Sequence, residues 1–471
     1  MKNLPKSIRQ EDIADIIAEQ FKDREMITCY LGSNAATPTS AMQALTAAVK
    51  NNSPRLPFLR MVHLLLQGPV PYLEAGLQDR IMTYSIFSGG EVRQAANKGL
   101  AFYLPCTLAN LNVLIGKGQN FAPDVAIFKV RRHPHTGEYS LGLSVEALHT
   151  AIDLARVVIA EVDPSMPYTL GQSLVDAQSI DFIIEENIQP VYEHPAPDFE
   201  RLSPAERRIG ALITEHFIRD GVTLQTGIGK IPDAVVSMIE DAAPKDLGVQ
   251  TELYGDGLMR LQKAGIVTNR RKAANLGYST TSLIMGSRAL YDYVDMRSGV
   301  QMRPCTYTNA AETIRLNRPF VSVNTAIGVD LFGNVWADFI DPRRYYSGVG
   351  GQPDFIRAIN EPAIGTPIIA MESVTNKGES KIVPMHPPGI SPTASGYDSV
   401  VLVTEYGIAD LRGLTFGGKA LAIAWVAHPR FRDEFLRSLH DDPLITKPHF
   451  YKPGKPPEGV RLYQGNIALE G

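Results

Sequence analysis

The chain is poor in cysteine. Three occur in 471 residues, Cys29, Cys106 and Cys305, far apart and odd in number. That count builds no disulfide framework, no pair has metal-ligand spacing, and free thiols suit a reducing compartment. An excess of charge of one sign is also missing. The formal net charge is -4, which gives no reason to expect nucleic acid or a membrane surface as a partner. No apolar run reaches the length of a membrane span. The stretch Met1 to Asp12 is charged and lacks the apolar core of a signal peptide. A cytoplasmic protein is the expectation. Several catalytic signatures are absent too. No serine sits in a G-x-S-x-G elbow, and no histidine has an obvious nucleophile partner. Gly229-Lys230 lacks the upstream glycine of a P-loop and is followed by Ile231. Neither glycine-rich loop of the chain matches G-x-G-x-x-G with an acidic residue at the expected distance.

What remains is a globular composition, 44% hydrophobic and 20% charged. At 471 residues the chain is too long for one ordinary core, so two or three domains are expected. Gln10 to Arg24 reads as an amphipathic helix with Ile13, Ile16, Ile17 and Phe21 on one face. A strand over Met26 to Leu31, a small-residue turn and a helix from about Ala41 to Val49 follow. Strands are expected at Phe58 to Leu66, Ile81 to Phe87, Phe102 to Leu104 and Val125 to Val130. Ser88 to Gly99 reads as turn and helix, and Leu148 to Ile159 as helix then strand. Arg131-Arg132-His133-Pro134-His135 is most simply a solvated turn. The proline-bearing Gln189 to Asp198 reads as a linker, which places one domain at 1–190 and a second at 191–471.

Beyond the linker, Ser203-Pro204 with Glu206 three residues on has the capping-box pattern for a helix to about Arg219. Further strands are expected at Ser282 to Gly286, Val321 to Ile327, Ile368 to Met371 and Val400 to Val403, and the tail after Pro443 as a packed arm. The sum is an α/β fold with a mostly parallel sheet in each of two similar open domains. The strand–turn–proline–helix layout near Met26 recurs at Val222 to Ile239. It is either an internal duplication or simply how any βα unit reads.

Two neighbouring stretches carry the chemistry. In G-V-T-L-Q-T-G-I-G-K-I-P-D-A-V, Gly221 to Val235, an apolar strand breaks at Gly227-Ile228-Gly229 and restarts as a helix around Pro232. Glycines there let backbone N–H groups approach a ligand. In L-G-V-Q-T-E-L-Y-G-D-G, Leu247 to Gly257, a strand from Val249 to Leu253 carries a lone carboxylate, Glu252, into a Gly-Asp-Gly turn. Ligands of parallel sheets sit at the carboxyl ends of strands, so turn and carboxylate could face one crevice. A second glycine loop, Ser347-Gly348-Val349-Gly350-Gly351-Gln352-Pro353-Asp354, exposes successive N–H groups that suit an oxyanion, or is only a tight turn. Asn309 and Asn324 are turn formers or amide donors. Thr404 to Gly413 reads as a salt-bridge and capping network. Residues alone reach an α/β enzyme with glycine loops and one conspicuous glutamate, and no reaction.

Taken together, T-G-I-G-K-I-P-D-A-V, G-V-Q-T-E-L-Y-G-D-G, S-V-N-T-A-I-G-V-D-L-F-G-N-V, S-G-V-G-G-Q-P-D-F-I-R and V-T-E-Y-G-I-A-D-L-R-G resemble, in that order, the C-terminal domain of the acetyl-CoA hydrolase/transferase family of class I CoA-transferases. The resemblance covers about Leu202 to Arg437. It is nearest to the 4-hydroxybutyrate and butyrate CoA-transferases, with itaconate CoA-transferases related. G-G-E-V-R-Q-A and E-V-D-P-S-M-P resemble the family's N-terminal domain more loosely. The resemblance implies a CoA-transferase in which Glu252 is the nucleophile. Asn309 and Gly350 would assist it, and Gly227, Ile228, Gly229, Lys230, Ile231, Asn324, Gly348 and Gly351 would contact CoA. It implies acyl-CoA and a small carboxylic acid as substrates, no metal, no permanently bound cofactor, and a homo-oligomer, most simply a dimer. A thioester hydrolase of the same fold and a silent CoA-binding protein are the alternatives. The basic stretch Asn269 to Asn275 departs from the pattern. It is either a solvated loop or, with Arg260, Arg270, Arg271 and Arg303, a source of a partner for a dicarboxylic acid such as itaconate or succinate.

Overall fold

The computed structural model describes residues 4–74, 76–441 and 454–469. Two large sheets dominate it. The first is built on eight strands, in spatial order Lys6–Ser7, Phe182–Ile184, Val157–Val162, Val125–Arg132, Met26–Leu31, Phe58–His63, Ile81–Ser85 and Ala101–Tyr103, all paired in parallel. The second runs Gly248–Val249, Thr223–Thr226, Phe320–Asn324, Gly365–Ala370 and Val401–Thr404 in parallel, then Gly407–Asp410 and Val460–Leu462 antiparallel. Helices between the strands cover the sheets, so the strands read as nearly continuous apolar runs. Val125 to Val130, for example, is buried at every position.

Both sheets reverse their strand order once. In the second sheet the reversal falls between Thr223–Thr226 and Phe320–Asn324, whose connections leave in opposite directions. In the first it falls between Met26–Leu31 and Val125–Arg132. Such points open a crevice at the carboxyl ends of the strands. The two crevices adjoin. Asn34, just past the end of Met26–Leu31, donates from Nδ2 to Ile284 O at 3.1 Å, and Val145 N donates to Ser282 O at 3.0 Å. The largest apolar cluster accordingly runs from Tyr30 in the first sheet to Ile408 in the second.

Local signals account for most elements. Ser203 and Glu206 form a reciprocal capping box, with Glu206 N donating to Ser203 Oγ at 3.1 Å and Ser203 N to Glu206 Oε2 at 2.7 Å, and the helix runs Pro204–Phe217. Boundaries move where periodicity is blind to neighbours. The expected turn at Arg131-Arg132 is strand, because Val125–Arg132 continues into an antiparallel pair with Tyr139–Ser140. Only the stretch from His133 onward turns. Much of the tail expected as an arm lies outside the described residues, but Val460–Leu462 adds to the edge of the second sheet.

E-V-D-P-S-M-P sets the centre of the first sheet. Lys129 is fully buried, with Nζ 3.1 Å from Glu161 Oε2 and 3.1 Å from Asp163 Oδ2. Glu161 also accepts from Ala41 N at 2.7 Å, at the start of the following helix. Removing one member of such a cluster leaves buried charge uncompensated. Lys129→Ala is therefore expected to lower stability by about 3–5 kcal/mol, read as a fall in denaturation midpoint. Wild-type stability would show that the cluster is not charged as drawn.

Candidate active site

The glycine turn sits at the reversal point of the second sheet. Thr226 ends one strand and is followed by Gly227-Ile228-Gly229, where Gly229 takes a φ of +116° that strongly favours glycine. Helix Lys230–Ala242 starts immediately after. The turn lines a cavity of about 200 Å³ with His194, Pro195, Asp233, Asp256 and Met285 among its walls. Asp233 is pushed up to about 6 by burial, with Asp256 and Glu206 adding repulsion.

The strand expected from Val249 to Leu253 is broken. Gly248–Val249 pairs with Thr223 and Leu224 in the second sheet, whereas Leu253–Tyr254 pairs with Leu283–Ile284 in a separate two-stranded sheet. The changeover is visible bond by bond. Gln250 N still donates to Leu224 O at 3.1 Å, and Thr251 N already donates to Thr280 O at 3.0 Å. An alternating apolar pattern carries no record of which neighbour a strand has, so the break is invisible in sequence. Glu252 lies just past it. Its carbonyl accepts from Thr281 Oγ1 at 3.1 Å, Ser282 N at 3.1 Å and Leu283 N at 2.8 Å.

Buried polar groups hold this crossing from below. Lys272 Nζ donates to Val249 O at 2.7 Å, Tyr278 O at 2.7 Å and Thr280 Oγ1 at 3.0 Å. Burial pulls its ammonium down to about 7, with Arg303 adding repulsion. Asn269 Oδ1 accepts from Val249 N at 2.9 Å. The basic stretch is the solvated loop expected at Arg270, Arg271 and Ala273, but Asn269 and Lys272 turn inward, and the lysine closes the backbone of the strand break. Its arginines do not reach Glu252. Arg270 is exposed, and Arg271 pairs with Asp246 at 3.9 Å. Arg260 lies against Glu240 at 2.5 Å and over the Phe199 ring. Arg303 donates to Met302 O and Gln301 Oε1 at 3.1 Å each.

The Glu252 carboxylate meets three groups. Asn309 Nδ2 donates to its Oε2 at 2.9 Å. The backbone N–H of Gly351 also favours the anion. A Cβ on Gly351 would lie 1.8 Å from Glu252 Oε2 and 2.1 Å from Asn309 Nδ2, so the loop approaches this closely only as glycine. The third group is Asp354, whose Oδ2 accepts from the same Asn309 Nδ2 at 3.2 Å. Burial raises Glu252 to about 7, Asn309 and Gly351 oppose the rise, and the Asp354 charge adds to it. The residue keeps a partial opening to solvent.

Among the other expected site residues, Gly348 and Gly350 join the two halves. A Cβ on Gly348 would lie 2.3 Å from Ile86 O, and Gly350, with φ +60°, faces the Phe87 ring. Val349 N donates to Tyr103 Oη at 3.0 Å. Asn324 is paired with the Gln225 amide, at 3.1 and 3.3 Å. Lys230 is exposed, its Nζ 3.7 Å from Glu206. Neither these two nor Ile231 is among the residues lining the glycine-turn cavity. Thr404 to Gly413 is a structural network, with Glu405 accepting from Ser373 N at 2.8 Å and Arg412 gripping Asp410 at 2.8 and 2.9 Å. Asp354 and Lys272 were the residues that sequence reasoning passed over. Asp354 stands in the first turn of helix Gln352–Ile359, an ordinary place for an acid. Among the described residues no group of three or more His, Cys, Asp or Glu is placed to hold a metal, and no helix is long and apolar enough to cross a membrane.

Comparison with known proteins gives the family. The acetyl-CoA hydrolase/transferase N-terminal domain matches residues 6–193 and the C-terminal domain of the same name residues 286–439. The glycine turn and Glu252 fall between the two matches. A 4-hydroxybutyrate coenzyme A transferase of Clostridium kluyveri is 37% identical over 396 residues, 84% of this chain and 90% of its own. A succinyl-CoA:acetate/propanoyl-CoA:succinate CoA transferase of Fasciola hepatica is 34% identical over 415 residues, 88% of this chain and 84% of its own. The crystal structure of a 4-hydroxybutyrate CoA-transferase from Porphyromonas gingivalis superposes with a TM-score of 0.75 at 30% identity, covering 92% of this chain and 97% of that one. Matches to proteins named acetyl-CoA hydrolase span 48% and 46% of the chain. The chain belongs to the acetyl-CoA hydrolase/transferase family, and it is an enzyme that transfers CoA.

Two outcomes follow from the geometry. Gly351→Ala is expected to cut turnover at least about 100-fold with little loss of thermal stability, since the backbone there, at φ -94°, accepts any residue and only the carboxylate and amide are struck. Near-normal turnover would remove the close approach. The second concerns Glu252 and pH. A carboxyl whose folded value lies above its ordinary one keeps its proton in the fold while the unfolded chain releases it, so stability falls as pH rises from about 4.5 to about 7. Glu252→Gln escapes that loss. Its unfolding free energy is expected to equal wild type near pH 4 and to exceed it at pH 8 by on the order of 1–3 kcal/mol, read by denaturant titration at each pH. Glu146, also raised to about 7 by burial, titrates alike in both proteins and cancels. Parallel pH curves would contradict the buried carboxylate.

Proposed function

We propose that the protein moves CoA from an acyl-CoA to a short-chain monocarboxylic acid by a ping-pong route through Glu252. The observation that carries this reading is the carboxylate itself, held by one amide and the backbone N–H of Gly351 and raised toward neutrality. A Glu252 oxygen attacks the thioester carbonyl, the C–S bond breaks, and CoA leaves as thiolate with the acyl group on Glu252 as an anhydride. The thiolate then attacks the glutamyl carbonyl, the donor's carboxylate leaves, and a glutamyl-CoA thioester remains. The acceptor acid runs the same two steps backward and departs as its CoA ester. Splitting the exchange this way keeps the thioester's energy out of water. Donors at Asn309 and Gly351 suit the charge that develops on oxygen in each tetrahedral step.

The printed names of the relatives support a small acyl group such as butyrate, 4-hydroxybutyrate, propionate or acetate, with acetyl- or succinyl-CoA as donor. One of those names gives a dicarboxylate, succinate, as acceptor, but itaconate has less support here, because Arg260, Arg271 and Arg303 are engaged elsewhere. We place the division between an N-terminal and a C-terminal unit at about residue 190, in the proline-bearing linker.

Borohydride trapping tests the route. Wild-type protein given acetyl-CoA and borohydride is expected to be reduced at Glu252 alone, as mapped by peptide mass spectrometry. Glu252→Gln is expected to lose transfer by at least about 1000-fold while still folding. Label on another residue would reassign the nucleophile. CoA released without any added acid would make the protein a hydrolase.

A further inference from the structure

The Asn309 amide serves two carboxylates with one nitrogen. Its Nδ2 reaches Glu252 Oε2 at 2.9 Å and Asp354 Oδ2 at 3.2 Å, and its Oδ1 accepts from Thr308 Oγ1 at 2.8 Å. Asp354 is not near Glu252 by accident of the surface. It is largely buried, and its Oδ2 also accepts from Ala109 N at 2.9 Å. Ala109 lies in the short helix Leu108–Asn110 of the first half. One oxygen therefore binds the nucleophile's amide partner and the opposite half of the molecule.

We propose that Asp354 is a positioning residue for the transfer reaction: it turns the Asn309 N–H groups toward Glu252 and ties that alignment to the seating of the 108–110 turn of the first half. An amide without this acceptor is free to rotate and present its oxygen to the Glu252 anion, which repels it. With Asp354 and Thr308 in place, the oxygen is occupied and the nitrogen faces both carboxylates. Asp354 keeps that orientation through the steps in which Glu252 is an anhydride or a thioester and has no full charge to hold the amide. The proposal rests on the transfer reading above.

The arrangement has a cost that makes it measurable. A second carboxylate close to the first disfavours its ionisation. The groups facing the pair are Asn309, the Gly351 N–H, the thiols of Cys305 and Cys106, and Arg357 on the helix of Asp354 itself. Both thiols stay neutral, since burial raises each of them. Glu146 also bears on Cys305, and Asp354 is not among the groups that shift Glu146. Glu252 is therefore the group whose titration reports the charge at Asp354.

The test compares wild type with Asp354→Asn and Asp354→Ser in the pH dependence of kcat/KM for acetyl-CoA with butyrate as acceptor. Asp354→Asn, which removes the charge and keeps an acceptor for the amide, is expected to move the acidic limb to lower pH by about half a unit. Asp354→Ser also frees the Asn309 amide, whose N–H favours the Glu252 anion, so its limb is expected to lie at higher pH than that of Asp354→Asn. Asp354→Ser, which accepts poorly at this distance, is expected to lose about 10- to 100-fold in kcat with KM for the CoA ester within about twofold. Asp354→Asn keeps the size and one acceptor and is expected to lose less. Loss of the charge without loss of positioning would move both limbs down alike, so equal limbs in the folded Asn and Ser variants overturn the proposal, as does wild-type kcat in Asp354→Ser. Borohydride labelling of wild type separates the two levels. Label at Glu252 with equal limbs in the two variants sinks the role of Asp354 alone, and absence of label sinks the route on which it rests.

Discussion

Everything at the site depends on a contest at one carboxylate. Burial disfavours the charge on Glu252, and two N–H donors favour it. Either influence alone makes a poor nucleophile. A fully solvated glutamate is stable as an anion and attacks weakly, and a buried one without donors stays protonated. The donors come from separate parts of the chain, Asn309 from a short helix that follows Cys305 and Gly351 from a loop gripped by Tyr103 and Ile86 of the first half. The chemistry therefore requires the two halves to be packed, which is why the main apolar cluster spans both.

The strand break at Thr251 is the second condition. A continuous strand fixes alternate side chains on opposite faces of one sheet. By leaving the second sheet and joining Leu283–Ile284, the chain carries Glu252 out of the plane in which Val249 is buried. Lys272 and Asn269 hold the backbone on the near side of the gap, and the N–H groups of Ser282 and Leu283 hold it on the far side. Buried lysine is an expensive way to cap carbonyls. Here it caps Val249 and Tyr278 together, which no apolar side chain could do.

Much of this was legible in the residues. The α/β class, the capped helix at Ser203 and the placement of a glycine turn at a strand end all follow from local patterns, because periodicity, caps and turns are local physics. The candidate glutamate was visible for a different reason, as an unexplained charge inside an apolar strand. What was hidden is non-local. No pattern marks the change of sheet between Gln250 and Glu252. Asp354 looked like a helix-start acid until Ala109, 245 residues away, was placed against it. Lys272 sat in a run of basic residues that reads as a solvent-facing loop, although one of its neighbours in that run, Asn269, is also buried. The ion pairs of Arg260 and Arg271 were hidden for the same reason, since their partners Glu240 and Asp246 are acids that sequence gives no cause to prefer.

The carbonyl of Glu252, held by three donors from residues 281–283, has a consequence for how the enzyme moves through its cycle. The main chain at the nucleophile is anchored whatever its side chain carries. On the proposed route the side chain would pass through anion, anhydride and thioester, which differ greatly in size and charge, and none of that difference could be taken up by the backbone. It falls on the torsions of one glutamate and on the groups that arrive. On that route the enzyme is a fixed post with a short swinging arm, and the CoA thiol, leaving one carbonyl and returning to the next, would do the travelling.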